Sequence, residues 1–169
     1  MKPLLSRPTL LPTLALAAAL APATALAHGD ESHTGHGSAA IPAQQAWGIA
    51  GDAAAVSREI AVSLHDSMRF SPARLEVREG ETVRLKLAND GYVMHELVLG
   101  TEPSLREHAA AMLRNPAMAH AEAHAVHVAP GDQGELVWTF NRPGLYTYAC
   151  LLPGHFEAGM SGTVEVLPR

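Results

Sequence analysis

Cysteine is nearly absent: Cys150 is the only one in 169 residues. A lone thiol forms no internal disulfide, so this is not a stapled scaffold and must stand on a packed core. Aromatics are also scarce, with three Phe, three Tyr and two Trp. The core is therefore left to Val, Leu and Ile, with Trp138 and Phe140 as larger pieces two positions apart on one strand face. Basic residues are outnumbered, 12 Lys and Arg against 17 Asp and Glu. Binding to a phosphate backbone needs clustered Lys and Arg, so no nucleic-acid partner is expected. There is no Ser/His/Asp nucleophile motif, phosphate loop or zinc-protease motif, and an enzyme is not expected. Beyond the amino-terminal segment no apolar run approaches the roughly 20 residues needed to cross a bilayer, so membrane insertion is not expected after processing.

The first 27 residues read as a secretory signal peptide. Lys2 and Arg7 give the positive start, Leu10 to Ala23 is the apolar stretch, and Ala25-Leu26-Ala27 is a small-x-small cleavage site. Removing them leaves 10 basic against 17 acidic groups, a net charge of about −7 with histidines neutral, and a first residue His28. The expected destination is the periplasm. An unpaired thiol in an oxidising compartment invites cross-linking, and metal ligation would resolve that anomaly.

Residues 28–54 are rich in Gly, Ala, Ser and His without a sustained apolar period, which predicts a mobile arm. Alternation begins at residue 55. Ile60, Val62 and Leu64 share one strand face, Leu75 to Val77 is a short strand, and Val83, Leu85 and Leu87 alternate again before the Asn89-Asp90-Gly91 turn. Met68 to Pro72 is expected to turn the chain. Further strands are predicted at Glu96–Leu99, Glu135–Phe140, Leu145–Ala149 and Thr163–Val166. Seven short strands predict one all-β domain over residues 55–169, a Greek-key two-sheet β-sandwich. A short helical insertion, Ser104–Leu113, precedes the cysteine loop, and Pro116 interrupts it.

The segment Tyr146 to Ser161 carries Cys150, His155 and Met160 around the Pro153-Gly154 turn. One thiolate, one imidazole and one thioether thus leave a strand and return toward the next. His95, opening the run His95-Glu96-Leu97-Val98-Leu99, is the candidate second imidazole. Two His, one Cys and a weak axial Met suit copper and electron transfer: soft sulfur serves Cu(I), imidazole accepts Cu(II), and little rearrangement separates the two.

The pattern Cys150-x4-His155-x4-Met160, with Pro153-Gly154 before the histidine, resembles the cupredoxins, the small blue-copper proteins that include azurin and plastocyanin. The resemblance covers roughly Val56 to Val166. It implies one type 1 copper held by His95, Cys150, His155 and Met160, cycling between Cu(II) and Cu(I). It also implies brief docking of a redox partner around His155, where Leu151, Leu152, Pro153 and Phe156 would form an apolar rim. The His-rich start and exported context look most like the periplasmic cupredoxins of bacterial copper tolerance. Glu96 departs from the Asn usual after the first histidine, and Met94 from the azurin glycine before it.

Two further groups could bind copper. His28, with its free α-amine, could chelate Cu(II) together with His33 or His36. His108, Met112, Met118, His120, His124 and His127 occupy the insertion, where spacings of four place His108 with Met112, and His120 with His124, on one helical face. Met94 could join either arrangement. The competing reading makes the insertion methionines core anchors and its histidines solvated. Three functions fit: copper handling with electron transfer in copper tolerance, a dedicated electron carrier for a respiratory or reductase partner, and a copper chaperone or buffer.

Overall fold

Alternating burial organises the strands. In the computed structural model, which describes residues 42–115 and 122–169, strand β2 follows a two-residue strand β1 (Ile49–Ala50) and runs Arg58–His65, burying Val62 and Leu64 while Glu59 and Ala61 face water. A short β3 (Arg69–Ser71) and β4 (Arg74–Arg78) follow, and β5 (Glu81–Asn89) buries Val83, Leu85 and Leu87. Then come β6 (His95–Gly100), helix α1 (Glu102–Arg114), β7 (Ala125–Val128), β8 (Gln133–Phe140), β9 (Gly144–Ala149) and β10 (Ser161–Leu167).

Two five-stranded sheets form the expected sandwich, ordered β1-β8-β5-β2-β3 and β4-β10-β9-β6-β7. Pairs β2/β5 and β4/β10 are parallel and the other pairs antiparallel, because the chain crosses between sheets in place of simple hairpins. Val83 sits opposite Trp138 and Leu85 opposite Leu136 in the first sheet. These side chains meet Leu97, Leu99, Tyr146, Tyr148, Val164 and Val166 from the second sheet in one buried core. Each such side chain is worth roughly 1.5–3 kcal/mol when fully buried.

Helix α1 begins two residues before the expected Ser104, at a capping box: Thr101 Oγ1 accepts the Ser104 N–H, and Ser104 Oγ accepts the Thr101 N–H. It ends at Arg114, two positions before Pro116, as a proline requires of its predecessors. Its Leu105 and Ala109 pack on Val98, Ala149 and Leu151, making a second small core on the outer face of β6 and β9.

Three short strands were not expected. β3 lies inside the stretch Met68 to Pro72, read as a turn, and β7 pairs with β6 within the insertion, which is therefore not purely helical. β1 lies inside the stretch 28–54 read as an arm. Ile49 and Ala50 pair with Thr139 and Trp138, Trp47 is 9% exposed, and the Trp138 indole N–H donates to the Trp47 carbonyl at 3.0 Å. The packed domain thus extends amino-terminal to position 55. Residues 1–41, with the expected signal peptide and His28, His33 and His36, lie outside the described residues, as do 116–121 with Met118 and His120. No helix among the described residues is long and apolar enough to cross a membrane.

Candidate metal centre

Cys150 follows the last residue of β9, and Met160 precedes the first of β10, so the two strands set the width of the ligand loop. The Cys150 N–H donates to the Met160 carbonyl at 3.1 Å, closing its base. Inside, the His155 N–H reaches the Leu152 carbonyl and the Met160 N–H reaches the His155 carbonyl, both at 3.0 Å. Gly154 takes φ +87° within this turn, a conformation that costs glycine little and an L side chain much. The Arg69 guanidinium on β3 donates to the Ala158 carbonyl at 3.0 Å and ties the loop to the other sheet.

Cys150 Sγ lies 3.2 Å from His155 Nδ1, and the His95 and His155 rings are 5.1 Å apart. The candidate ligand atoms of His95, Cys150 and His155 all fall within 4.8 Å of one another, the one group of three or more His, Cys or acidic side chains so arranged among the described residues. Met160 is fully buried and packs in the main core with Cys150. Of the four ligands read from sequence, three are gathered atom to atom, and the fourth is tied to them through the backbone.

The protonation chemistry fits a cation. The His95 ring is fully buried, with Nε2 3.1 Å from Asp66 Oδ1, while Nδ1 is buried without a hydrogen-bond partner. The carboxylate keeps the proton on Nε2 and leaves the Nδ1 lone pair for a metal, a carboxylate–histidine arrangement typical of metal sites. A buried acceptor with nothing to accept is otherwise costly. Burial pushes the Cys150 thiol up to about 12, against hydrogen bonds to its sulfur from the Glu96 and Leu152 backbone N–H groups. Burial, and then the neighbouring His95, push His155 down, so its imidazole is neutral at neutral pH and ready to ligate. The donor set, two imidazoles, one thiol and a thioether, suits copper.

Asp66 was missed by the sequence reading. It stands in the turn between β2 and β3, and also accepts N–H groups of Tyr92 at 2.8 Å and Val93 at 3.4 Å. These contacts, the Tyr92 N–H first, hold its carboxyl below the usual range. Gly91 allows the approach, since a Cβ there would lie 1.9 Å from Asp66 Oδ1. Glu96 is 1% exposed, and its Oε1 accepts the Leu151 N–H at 2.7 Å, pinning β6 to the ligand loop. Its Oε2 lies 2.8 Å from His127 Nε2.

The other candidates take separate positions. Met112 is buried on α1, and His108 is half-buried on the same helix. His124 stands edge-on to Trp47 at 5.3 Å and Trp138 at 6.2 Å, with Glu122 2.9 Å from its Nε2. His127 pairs with Glu96, and Met94 is 43% exposed beside His95. The apolar rim around His155 also differs from expectation. Leu151 is buried in the second core and Phe156 is half-buried under Arg106, whereas Tyr92, Val93 and Met94 are exposed.

A family model described as copper binding proteins, plastocyanin/azurin family, matches residues 56–167. The chain is 48% identical over 167 residues to the copper-resistant cuproprotein CopI of Rubrivivax gelatinosus, covering 98% of this chain and 99% of that one. It is 35% identical to the protein of the same name from Pseudomonas aeruginosa, covering 73% of this chain and 84% of that one. Its fold resembles reduced auracyanin from Roseiflexus castenholzii, with a TM-score of 0.57 at 22% identity over 67% of this chain and 99% of that one.

Proposed function

Because the chain belongs to the plastocyanin/azurin family of copper-binding proteins, we propose that it is an exported type 1 copper protein that handles copper and transfers electrons in copper tolerance. The observation that carries the copper site is the buried, unbonded Nδ1 of His95 within 4.8 Å of the Cys150 and His155 donors. His95, Cys150 and His155 would hold the ion, and the Met160 thioether would be a fourth, weaker donor. Bound copper supplies a one-electron Cu(II)/Cu(I) couple. The protein's part is to fix the donors: Asp66 orients His95, the backbone N–H groups of Glu96 and Leu152 hold the sulfur, and the closed loop presents His155 at the surface. This is a carrier's task, and no catalytic group is assigned.

Copper tolerance is supported by the two relatives called copper-resistant and by the His and Met residues surplus to the site. Capture of further copper by His28, His33 and His36, or by His108, Met112, Met118, His120, His124 and His127, belongs to the same reading, with Met94 as a contributor to either group. The signal-like first 27 residues support export to the periplasm. Deleting the gene should raise copper sensitivity; unchanged tolerance with impaired respiration would contradict it. A second reading, a dedicated carrier, draws on exposed Tyr92, Val93 and Met94 beside His95, where a redox partner could dock briefly. Copper stoichiometry separates the two: several ions per chain favour handling or buffering, and one favours the carrier.

A further inference from the structure

Glu96 is the only buried acidic residue among the described residues. Taking a carboxylate out of water is costly unless it is paired and hydrogen-bonded. Glu96 has two polar neighbours: the Leu151 N–H at 2.7 Å on Oε1, and His127 Nε2 at 2.8 Å from Oε2. Glu96 and His127 are register partners across β6 and β7, so the strand pairing itself sets that contact. The same residue donates its backbone N–H to Cys150 Sγ. Glu96 therefore holds the sulfur through its main chain, and its side-chain charge is bonded to the residue that follows Cys150.

A strut between β6 and the ligand loop needs only an acceptor for the Leu151 N–H, which a neutral amide provides without the cost of burying a charge. The charge does something an amide cannot. Adding an electron to the copper–thiolate unit makes that unit more negative, and a nearby carboxylate in a low-dielectric surrounding opposes the change. His127 Nε2 sits against the other carboxylate oxygen, at the exposed edge of β7 where water screens part of the field.

We propose that the Glu96 carboxylate, braced by His127, is a positioning residue that biases the copper site toward Cu(II) and keeps its midpoint potential low. The site would thereby pass the electron that arrives with Cu(I) to a one-electron acceptor protein docked beside it, which is reduced as the copper becomes Cu(II). This inference rests on the copper reading above, and the two fail differently: a wild-type chain without a visible copper band defeats the reading, whereas an intact band with an unmoved potential defeats only this inference.

The test is spectroelectrochemical titration of the copper-loaded full chain at fixed pH. Glu96→Gln keeps an acceptor for the Leu151 N–H and is expected to shift the Cu(II)/Cu(I) affinity ratio about tenfold toward Cu(I), which is a rise of about 59 mV in midpoint. The visible band should persist. Glu96→Asn, a shorter neutral amide, removes the same charge and should also raise the midpoint. An unchanged or lower midpoint in Glu96→Gln with the band retained would overturn the proposal. If the Gln variant does not fold or load copper, Glu96→Asn decides: an upward shift supports the proposal, and no shift or a downward one overturns it.

Discussion

Burial keeps the Cys150 thiol protonated up to about pH 12 in the absence of metal. Ligation requires the thiolate, so copper must displace that proton. The sign follows: affinity should increase as pH rises through the neutral range, about tenfold per unit, and fall as acid restores the thiol. Calorimetry in buffers of different ionisation enthalpy should find about one proton released from Cys150 per copper, and no release would mean that the thiolate already exists in the free protein. Asp66 makes a second prediction at this scale. Asp66→Ala frees the His95 ring and should weaken copper binding about 10- to 100-fold in a chelator competition; unchanged affinity would reduce Asp66 to a surface acid. Residues legible in the sequence were those joined by short spacing, as Cys150, His155 and Met160 are. Asp66 was not, because it arrives from a turn 29 positions before His95 and carries no local pattern. Glu96 stood out as a departure from the usual Asn, but its contacts with Leu151 and His127 depend on strand pairing that spacing does not encode.

Elements were legible in proportion to their length. β2, β5, β8 and β10 run seven to nine residues, enough for alternation to repeat, and each was expected. β1, β3 and β7 have two to four residues and offer no period to count. Helix α1 was legible, but not its role as the cover of a second small core on β6 and β9. That role is testable with Leu105→Ala. Removing a buried leucine should cost about 2–5 kcal/mol in urea unfolding. The loop is braced by its own hydrogen bonds, so the copper band should survive; its loss would show that α1 also holds the ligands in place.

Over the whole molecule, one sheet delivers every candidate ligand from both ends of a long stretch of chain, His95 on β6 and the other three between β9 and β10, into one end of the sandwich core, and the other sheet contributes Asp66 from the β2–β3 turn. The same packing extends amino-terminally to Trp47, which is buried in the main core and whose carbonyl accepts the Trp138 indole N–H. A chain beginning at residue 56 should therefore be less stable than one beginning at residue 42 by about 3 kcal/mol, the usual cost of losing a buried tryptophan. Equal stability would restore 28–54 as a free arm. The central claim, that one sulfur and two imidazoles enclose a single redox-active copper, is tested most directly by titrating the full chain with Cu(II) while recording visible absorption. An intense thiolate charge-transfer band should grow with the filling of the site and be absent from Cys150→Ser. A wild-type chain that binds copper without that band, or a Ser variant that keeps it, would contradict the account.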